Sequence, residues 1–170
     1  MGDITGGCLR ASAIRRSVVH AVGLIFALTT GATAQVDAQP MLGMHNAARA
    51  AHCTPPLAWS AELAAQAARY AGRCVFEHDR SSGAGENLAR GTGLSAQAAF
   101  GLWYGEANLH DFAAPRFGPA GHFTQLLWSD SKVLGCGGAI CGRDVLWVCR
   151  YSPPGNVEGK YRQNVLPRCR

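Results

Sequence analysis

Residues 132–151 read Lys-Val-Leu-Gly-Cys-Gly-Gly-Ala-Ile-Cys-Gly-Arg-Asp-Val-Leu-Trp-Val-Cys-Arg-Tyr. Two apolar runs, 132–139 and 144–151, have the length and content of strands, and Gly142-Arg143 between them is a two-residue turn. With that turn, Cys141 faces Asp144 and, stepping back along both strands, Cys136 faces Cys149. Direct cross-strand neighbours lie ~5 Å apart, within reach of a disulfide. The pattern therefore predicts a terminal antiparallel hairpin stapled by Cys136–Cys149.

What precedes the hairpin is helical. Residues 122–128 form a compact apolar segment that reads as a short helix, after an irregular connection over 110–120 containing Pro115, Gly118 and Pro119. Ser95 is placed to cap a helix in which Phe100, Trp103 and Ala107 recur every three or four residues. Ser60 caps another that runs to Tyr70 with Gly72 beyond its end, and Leu63, Ala67 and Tyr70 form its buried stripe. A first helix spans Met41, Leu42, Met44, Ala48 and Ala51 and stops at Pro55-Pro56. Residues 72–93, rich in Gly, Ser and charge, read as a loop with a short strand; 152–170 read as irregular. Helices grouped before a hairpin predict α+β rather than alternating βαβ.

The chain has 170 residues, 16% of them charged against a usual ~25%, and a formal net charge of +5. It is too apolar for disorder, and its basic residues form no run, which argues against nucleic acid as a partner. Arg10, Arg15 and Arg16 precede an apolar stretch over 18–28 and an Ala32-Thr33-Ala34 exit, the marks of a secretory signal peptide. The apolar stretch is shorter than the ~20 residues that span a bilayer. We expect a leader over 1–34 cleaved after Ala34, with Ala38 as the second choice, and one domain over 35–170. That mature chain carries net +3 and six cysteines, Cys53, Cys74, Cys136, Cys141, Cys149 and Cys169. An even count in an exported chain suits three disulfides.

Four polar residues stand in apolar or Gly-rich settings: His45 in the first helix, Glu86 in Gly-Glu-Asn-Leu, Glu106 three residues after Trp103, and His122 in Gly-His-Phe-Thr-Gln. Spacing on a helix puts Glu106 on the face of Trp103, so burial of the indole draws the carboxylate inward. Two imidazoles and two carboxylates brought together would suit metal binding or acid–base chemistry, whereas a histidine on an apolar helix face is commonly a satisfied core residue. No Gly-x-Ser-x-Gly or His-Glu-x-x-His occurs. Gly91-Thr92-Gly93-Leu94-Ser95-Ala96 matches a loose dinucleotide fingerprint, but it reads as a loop running into the Ser95 cap.

His45-Asn46-Ala47-Ala48-Arg49, Gly85-Glu86-Asn87-Leu88-Ala89, Gly121 to Trp128 and Leu146 to Asn156 occur in that order, with Trp103-x-x-Glu106 between the second and third. Together they resemble the signature motifs of the CAP superfamily: cysteine-rich secretory proteins, antigen 5 and pathogenesis-related proteins. The resemblance covers about residues 40–160. It implies an α–β–α sandwich with a small antiparallel sheet between helical layers, and a single CAP (SCP) domain. It also implies that His45, Glu86, Glu106 and His122 line one cleft, and that Zn²⁺, where relatives bind it, is held by the two histidines with the carboxylates nearby. No catalytic residue is assigned.

The family pattern agrees with Cys136–Cys149 and implies Cys74–Cys141; Cys53–Cys169 follows by elimination. Two cysteines found in plant relatives before the Gly-His motif are replaced here by Phe117-Gly118-Pro119-Ala120, and the loop over 72–83 is short with Phe76 its one aromatic residue. The latter speaks against sterol binding. The expectation is a secreted, extracellular (in a Gram-negative host, periplasmic) binding or effector module. It would be monomeric, without a membrane span, and would take a lipid or small hydrophobic ligand. The alternative is a zinc-dependent hydrolase or protease using the same cleft; a third possibility is a structural module in which Asn46, Arg49, Asn87 and the tetrad only hold the fold.

Overall fold

The computed structural model describes Gly2 and residues 36–170; the leader expected over 1–34 lies outside the described residues, Gly2 apart. In chain order the elements are α1 (Pro40–Ala51), β1 (Ala58–Trp59), α2 (Ala61–Ala71), β2 (Gly85–Thr92) and α3 (Ala96–Gly105). A 3-10 turn (Glu106–Leu109), α4 (Gly121–Leu127), β3 (Val133–Cys141), β4 (Asp144–Ser152) and α5 (Tyr161–Asn164) follow. Local chemistry explains the helix starts. Pro40 sits in the first turn of α1, where its missing N–H costs nothing. Ser60 and Ser95 accept hydrogen bonds from the N–H groups of Leu63 (3.2 Å) and Ala98 (3.1 Å), each worth about 1 kcal/mol to its helix.

The hairpin has the register its turn implies, with Cys141 opposite Asp144 and Cys136 opposite Cys149. Three segments differ from the sequence expectation. Residues 85–92 form a full eight-residue strand, paired with β4 from Gly85–Tyr151 to Thr92–Asp144. Its Gly, Asn and Ala content has little strand preference, so the partner strand rather than local propensity makes it a strand. β1 is a two-residue parallel pairing with β3, too short to leave a periodic signal. The tail contains one turn of helix, α5, anchored by buried Tyr161 and Asn164.

The sheet order is β1-β3-β4-β2, which leaves β2 at an edge. Alternation along the strands feeds two cores. Leu134, Cys136, Trp147, Cys149 and Tyr151 pack with α1, α3 and α4, while Leu88, Ala139, Leu146 and Val148 pack with Ala67, Tyr70 and Ala71 of α2. The result is helices on both faces of a small sheet, the α–β–α sandwich. α2 lies close against β3 because Gly135 and Gly137 present no side chain; a Cβ at either would land on the backbone of Ala64 or Ala68.

Disulfides join Cys136–Cys149, Cys74–Cys141 and Cys53–Cys169, with Cα separations of 4.1, 5.5 and 5.9 Å. Asn46 and Arg49 serve the frame. Asn46 exchanges two hydrogen bonds with the backbone of Leu57, and the fully buried Arg49 donates to the carbonyls of Pro55, Leu126, Trp128 and Ser131. One guanidinium thus ties α1 to the segment that links α4 and β3. Burial lowers its pKa to about 10, which still leaves it charged at neutral pH.

Candidate functional site

The edge position of β2 opens a cleft of about 210 Å³ between that strand, the 3-10 turn and α4. Trp103 backs the wall that Glu106 and His122 form. It is 1% exposed, and its Nε1 donates to the carbonyl of Leu88 at 2.8 Å, so the end of α3 is pinned to β2. Glu106 was expected within the helix, but α3 ends at Gly105 and Glu106 opens the 3-10 turn. It still follows Trp103 by one turn, and its carboxylate reaches the start of α4. There Oε2 accepts the backbone N–H of His122 (2.9 Å) and of Phe123 (3.2 Å), two donors a helix start leaves without partners. Oε1 lies 2.6 Å from His122 Nδ1. The His122 ring stacks near Trp103, 6.4 Å between centroids.

Glu86 forms the opposite wall. Its Oε1 lies 2.9 Å from His78 Nδ1 and accepts the backbone N–H of Asp79 at 3.1 Å. Its Oε2 is buried, 3.5 Å from Nε of Arg150, the residue directly across from it on β4. The hydrogen bond to Glu86 raises the His78 pKa above the ordinary imidazole value, although burial works against it. His78 and His122 are thus paired with Glu86 and Glu106 in the same way, each carboxylate taking Nδ1 and leaving Nε2 as the ring's remaining nitrogen.

His45 is not part of this cleft. It is fully buried, with its ring packed among Phe100, Trp103 and Tyr151 at centroid distances of 5.2, 6.4 and 5.7 Å. Its Nδ1 meets the carbonyl of Met41 at 2.7 Å and its Nε2 the hydroxyl of Tyr151 at 2.8 Å. The α1 face that carries it also carries Met41, Ala48 and Arg49 and points into the core. Burial lowers its pKa to about 4, so the ring is neutral and both nitrogens are occupied. Its link to the cleft is indirect: Asn87 donates to both the Tyr151 hydroxyl (3.1 Å) and the carbonyl of His122 (3.0 Å). The bland expectation for a histidine on an apolar helix face is what this one meets.

Sequence reasoning missed His78. It stands in Phe76-Glu77-His78-Asp79-Arg80, a charged stretch where a polar residue does not stand out. The available signal was its place one loop before Glu86, since a segment returning from α2 to an edge strand must pass beside that strand's first residues.

Comparison with known proteins decides the family. The sequence profile of the cysteine-rich secretory protein family (CAP) matches residues 42–151. The chain belongs to the CAP family. It is 38% identical over 146 residues to pathogenesis-related leaf protein 4 of Solanum lycopersicum, covering 81% of this chain and 90% of the relative. Pathogenesis-related protein 1 of Arabidopsis thaliana is 36% identical, with 87% and 96% covered. Peptidase inhibitor 16 of Mus musculus is also 36% identical, but this CAP chain spans only 30% of its length. Among solved structures, NaASP2, crystallised with Zn²⁺, superposes with a TM-score of 0.64 at 25% identity over 78% of this chain and 85% of that one. Venom allergen-like protein 4 of Schistosoma mansoni has the same fold, with a TM-score of 0.64 at 23% identity over 79% and 97%. The family is one of secreted proteins, and three disulfides suit an extracellular CAP domain. No helix among the described residues is long and apolar enough to cross a membrane.

The donor chemistry of the cleft fits zinc in part. Metal-bound histidines commonly hand their second ring nitrogen to a carboxylate, as both rings do here. Among the described residues, no three His, Cys, Asp or Glu side chains gather as a ready ligand group. Two imidazoles would leave the other coordination positions to solvent or a partner.

Proposed function

We propose that this CAP protein is an exported binding module whose cleft takes Zn²⁺ through Nε2 of His78 and His122, and that it is not a hydrolase. The observation that carries this is the matched pair of imidazole–carboxylate contacts at 2.9 and 2.6 Å. Glu86 and Glu106 orient the rings, and bound zinc would supply an open, electropositive position for an oxygen of a partner molecule. His78 replaces His45 as the expected first ligand. A hydrolase needs a carboxylate free to take a proton from water. Both oxygens of Glu106 and Oε1 of Glu86 already accept hydrogen bonds, and the remaining Glu86 oxygen faces Arg150. The residues lining the cleft include no Ser, Thr or Cys to act as a nucleophile.

The hydrophobic ligand belongs elsewhere on this reading. At about 210 Å³ the cleft is smaller than the ~300–1,000 Å³ of typical small-molecule sites. A depression of about 370 Å³ where Tyr104, Ala107 and Phe112 meet is large enough to take a lipid chain end. Export with cleavage after Ala34 is favoured over Ala38, because Val36 and Ala38 pack against the core and a chain starting at Gln39 would lose them.

Titration calorimetry of the mature chain with ZnCl₂, and mass spectrometry of lipids extracted from it, test the reading together. His78→Ala with His122→Ala should abolish zinc binding and leave the lipid in place. Zinc-dependent turnover of a peptide or ester that disappears in this double variant would instead make the protein a hydrolase.

A further inference from the structure

We propose that the depression between α2 and the loop leading to β2 is a second binding site, separate from the cleft, for a phosphate-type tetrahedral oxyanion. It encloses about 260 Å³ and is lined by Gln66, Arg69, Tyr70, Arg73, Asp79 and Arg150. Three guanidinium groups thus face one carboxylate. That carboxylate is already neutralised, since Asp79 Oδ2 accepts from Arg150 at 2.6 Å while its Oδ1 takes the N–H and hydroxyl of Ser81. Arg69, in the last turn of α2, and Arg73, two residues past its end, are exposed, and among the described residues neither pairs with a carboxylate.

A basic last turn is common on helices because it complements the dipole, and that alone builds no site. Two further observations make this one a site. Arg150 is 4% exposed; its Nε faces Glu86 Oε2 at 3.5 Å, and only two of its five N–H groups are used in hydrogen bonds, to Gln66 and Asp79, so the buried guanidinium at the floor of the depression keeps donors to spare. The Tyr70 ring is shared by two of the cations: the Arg73 guanidinium lies 5.0 Å and that of Arg150 5.4 Å from its centroid. The ring is itself held by its hydroxyl, which donates to the carbonyl of Glu77 at 2.9 Å. Stacking of this kind limits the rotamers of Arg73 and so reduces the ordering cost when an anion is gripped. Planar guanidinia offer paired N–H donors that match the oxygens of a phosphoryl group.

Free phosphate and a lipid headgroup both present such a phosphoryl group, and two arms of one experiment separate these sources. Mature protein is titrated with inorganic phosphate at low ionic strength, and is separately sedimented with vesicles of phosphatidic acid in phosphatidylcholine. The site predicts saturable phosphate binding that weakens about tenfold or more in Arg69→Gln/Arg73→Gln, whose exposed positions spare the core. His122→Ala, which disables the cleft, should leave phosphate affinity unchanged. Vesicle binding that free phosphate displaces assigns the headgroup; phosphate binding without vesicle binding assigns the free ion. Phosphate affinity no greater than that for chloride, or equal in wild type and the arginine variant, overturns the proposal.

Discussion

Glu106 holds His122 twice, by its backbone N–H at 2.9 Å and by its ring Nδ1 at 2.6 Å, so one carboxylate sets both the start of α4 and the orientation of the imidazole. The position of the ring and the position of the helix are therefore not independent. Trp103, anchored on Leu88, carries that constraint back to the sheet.

Loss of this grip should weaken the cleft without unfolding the domain. Glu106→Gln is expected to lower zinc affinity by about 10- to 100-fold, the usual cost of removing a carboxylate behind a ligating histidine. Circular dichroism should remain that of wild type. Calorimetry showing unchanged zinc affinity would mean that the carboxylate does not orient the ring.

His45 and His122 should separate in their effects. His45→Ala leaves a buried cavity and takes away the partner of the Tyr151 hydroxyl. We expect it to cost about 3 kcal/mol in urea unfolding while zinc affinity is kept. His122→Ala should do the reverse. Equal loss of zinc in both variants would restore His45 to the site.

Acid should destabilise the fold through His45. Its folded pKa of about 4 lies below its ordinary value of 6.5, so between those values the unfolded chain takes up a proton that the native chain refuses. Stability is fully present above pH 6.5 and falls as the pH drops toward 4, by about 3 kcal/mol for this group. His52 and His110 are shifted in the same direction by burial and add to the slope. His78, raised by Glu86, acts oppositely: its pairing stabilises at low pH and fades as the pH rises through its pKa. Urea midpoints from pH 7.5 to 4 should decline, and less steeply in His45→Asn.

The glycines of β3 should resist substitution. A methyl group at Gly137 would meet the backbone of Ala68, so Gly137→Ala must push α2 off the sheet. The expected loss is about 1–3 kcal/mol, the range for overpacked cores. Gly43→Ala, in open space on α1, should be neutral or slightly stabilising in the same thermal melts.

Much of this architecture was legible because its signals are local. A two-residue turn at Gly142-Arg143 sets the register that brings Cys136 to Cys149, and serines three residues before free N–H groups announce helix starts. What escaped depends on contacts distant in sequence. β2 becomes a strand by pairing with β4, and His78 enters the cleft by the path of a loop, neither of which has a period to read. His45 belongs to a motif of the family, yet its helix face turns it to the core, which a sequence motif alone does not reveal. Glu86, Glu106 and His122 stood out because each is a polar residue set in apolar or glycine-rich surroundings, where burial forces it to have a partner, and the fold brings all three to one cleft.

The Cys53–Cys169 bond has a consequence for proteolysis. It fastens the extreme end of the described chain to the residue just past α1, 116 positions away, while exposed backbone runs through 157–160 before α5. A protease that cuts there would nick the polypeptide without liberating anything: the downstream fragment stays covalently attached through Cys169 and remains docked by Tyr161 and Asn164. Release of that fragment would take two events of different chemistry, a hydrolysis and a reduction, and only in surroundings reducing enough to open the bond.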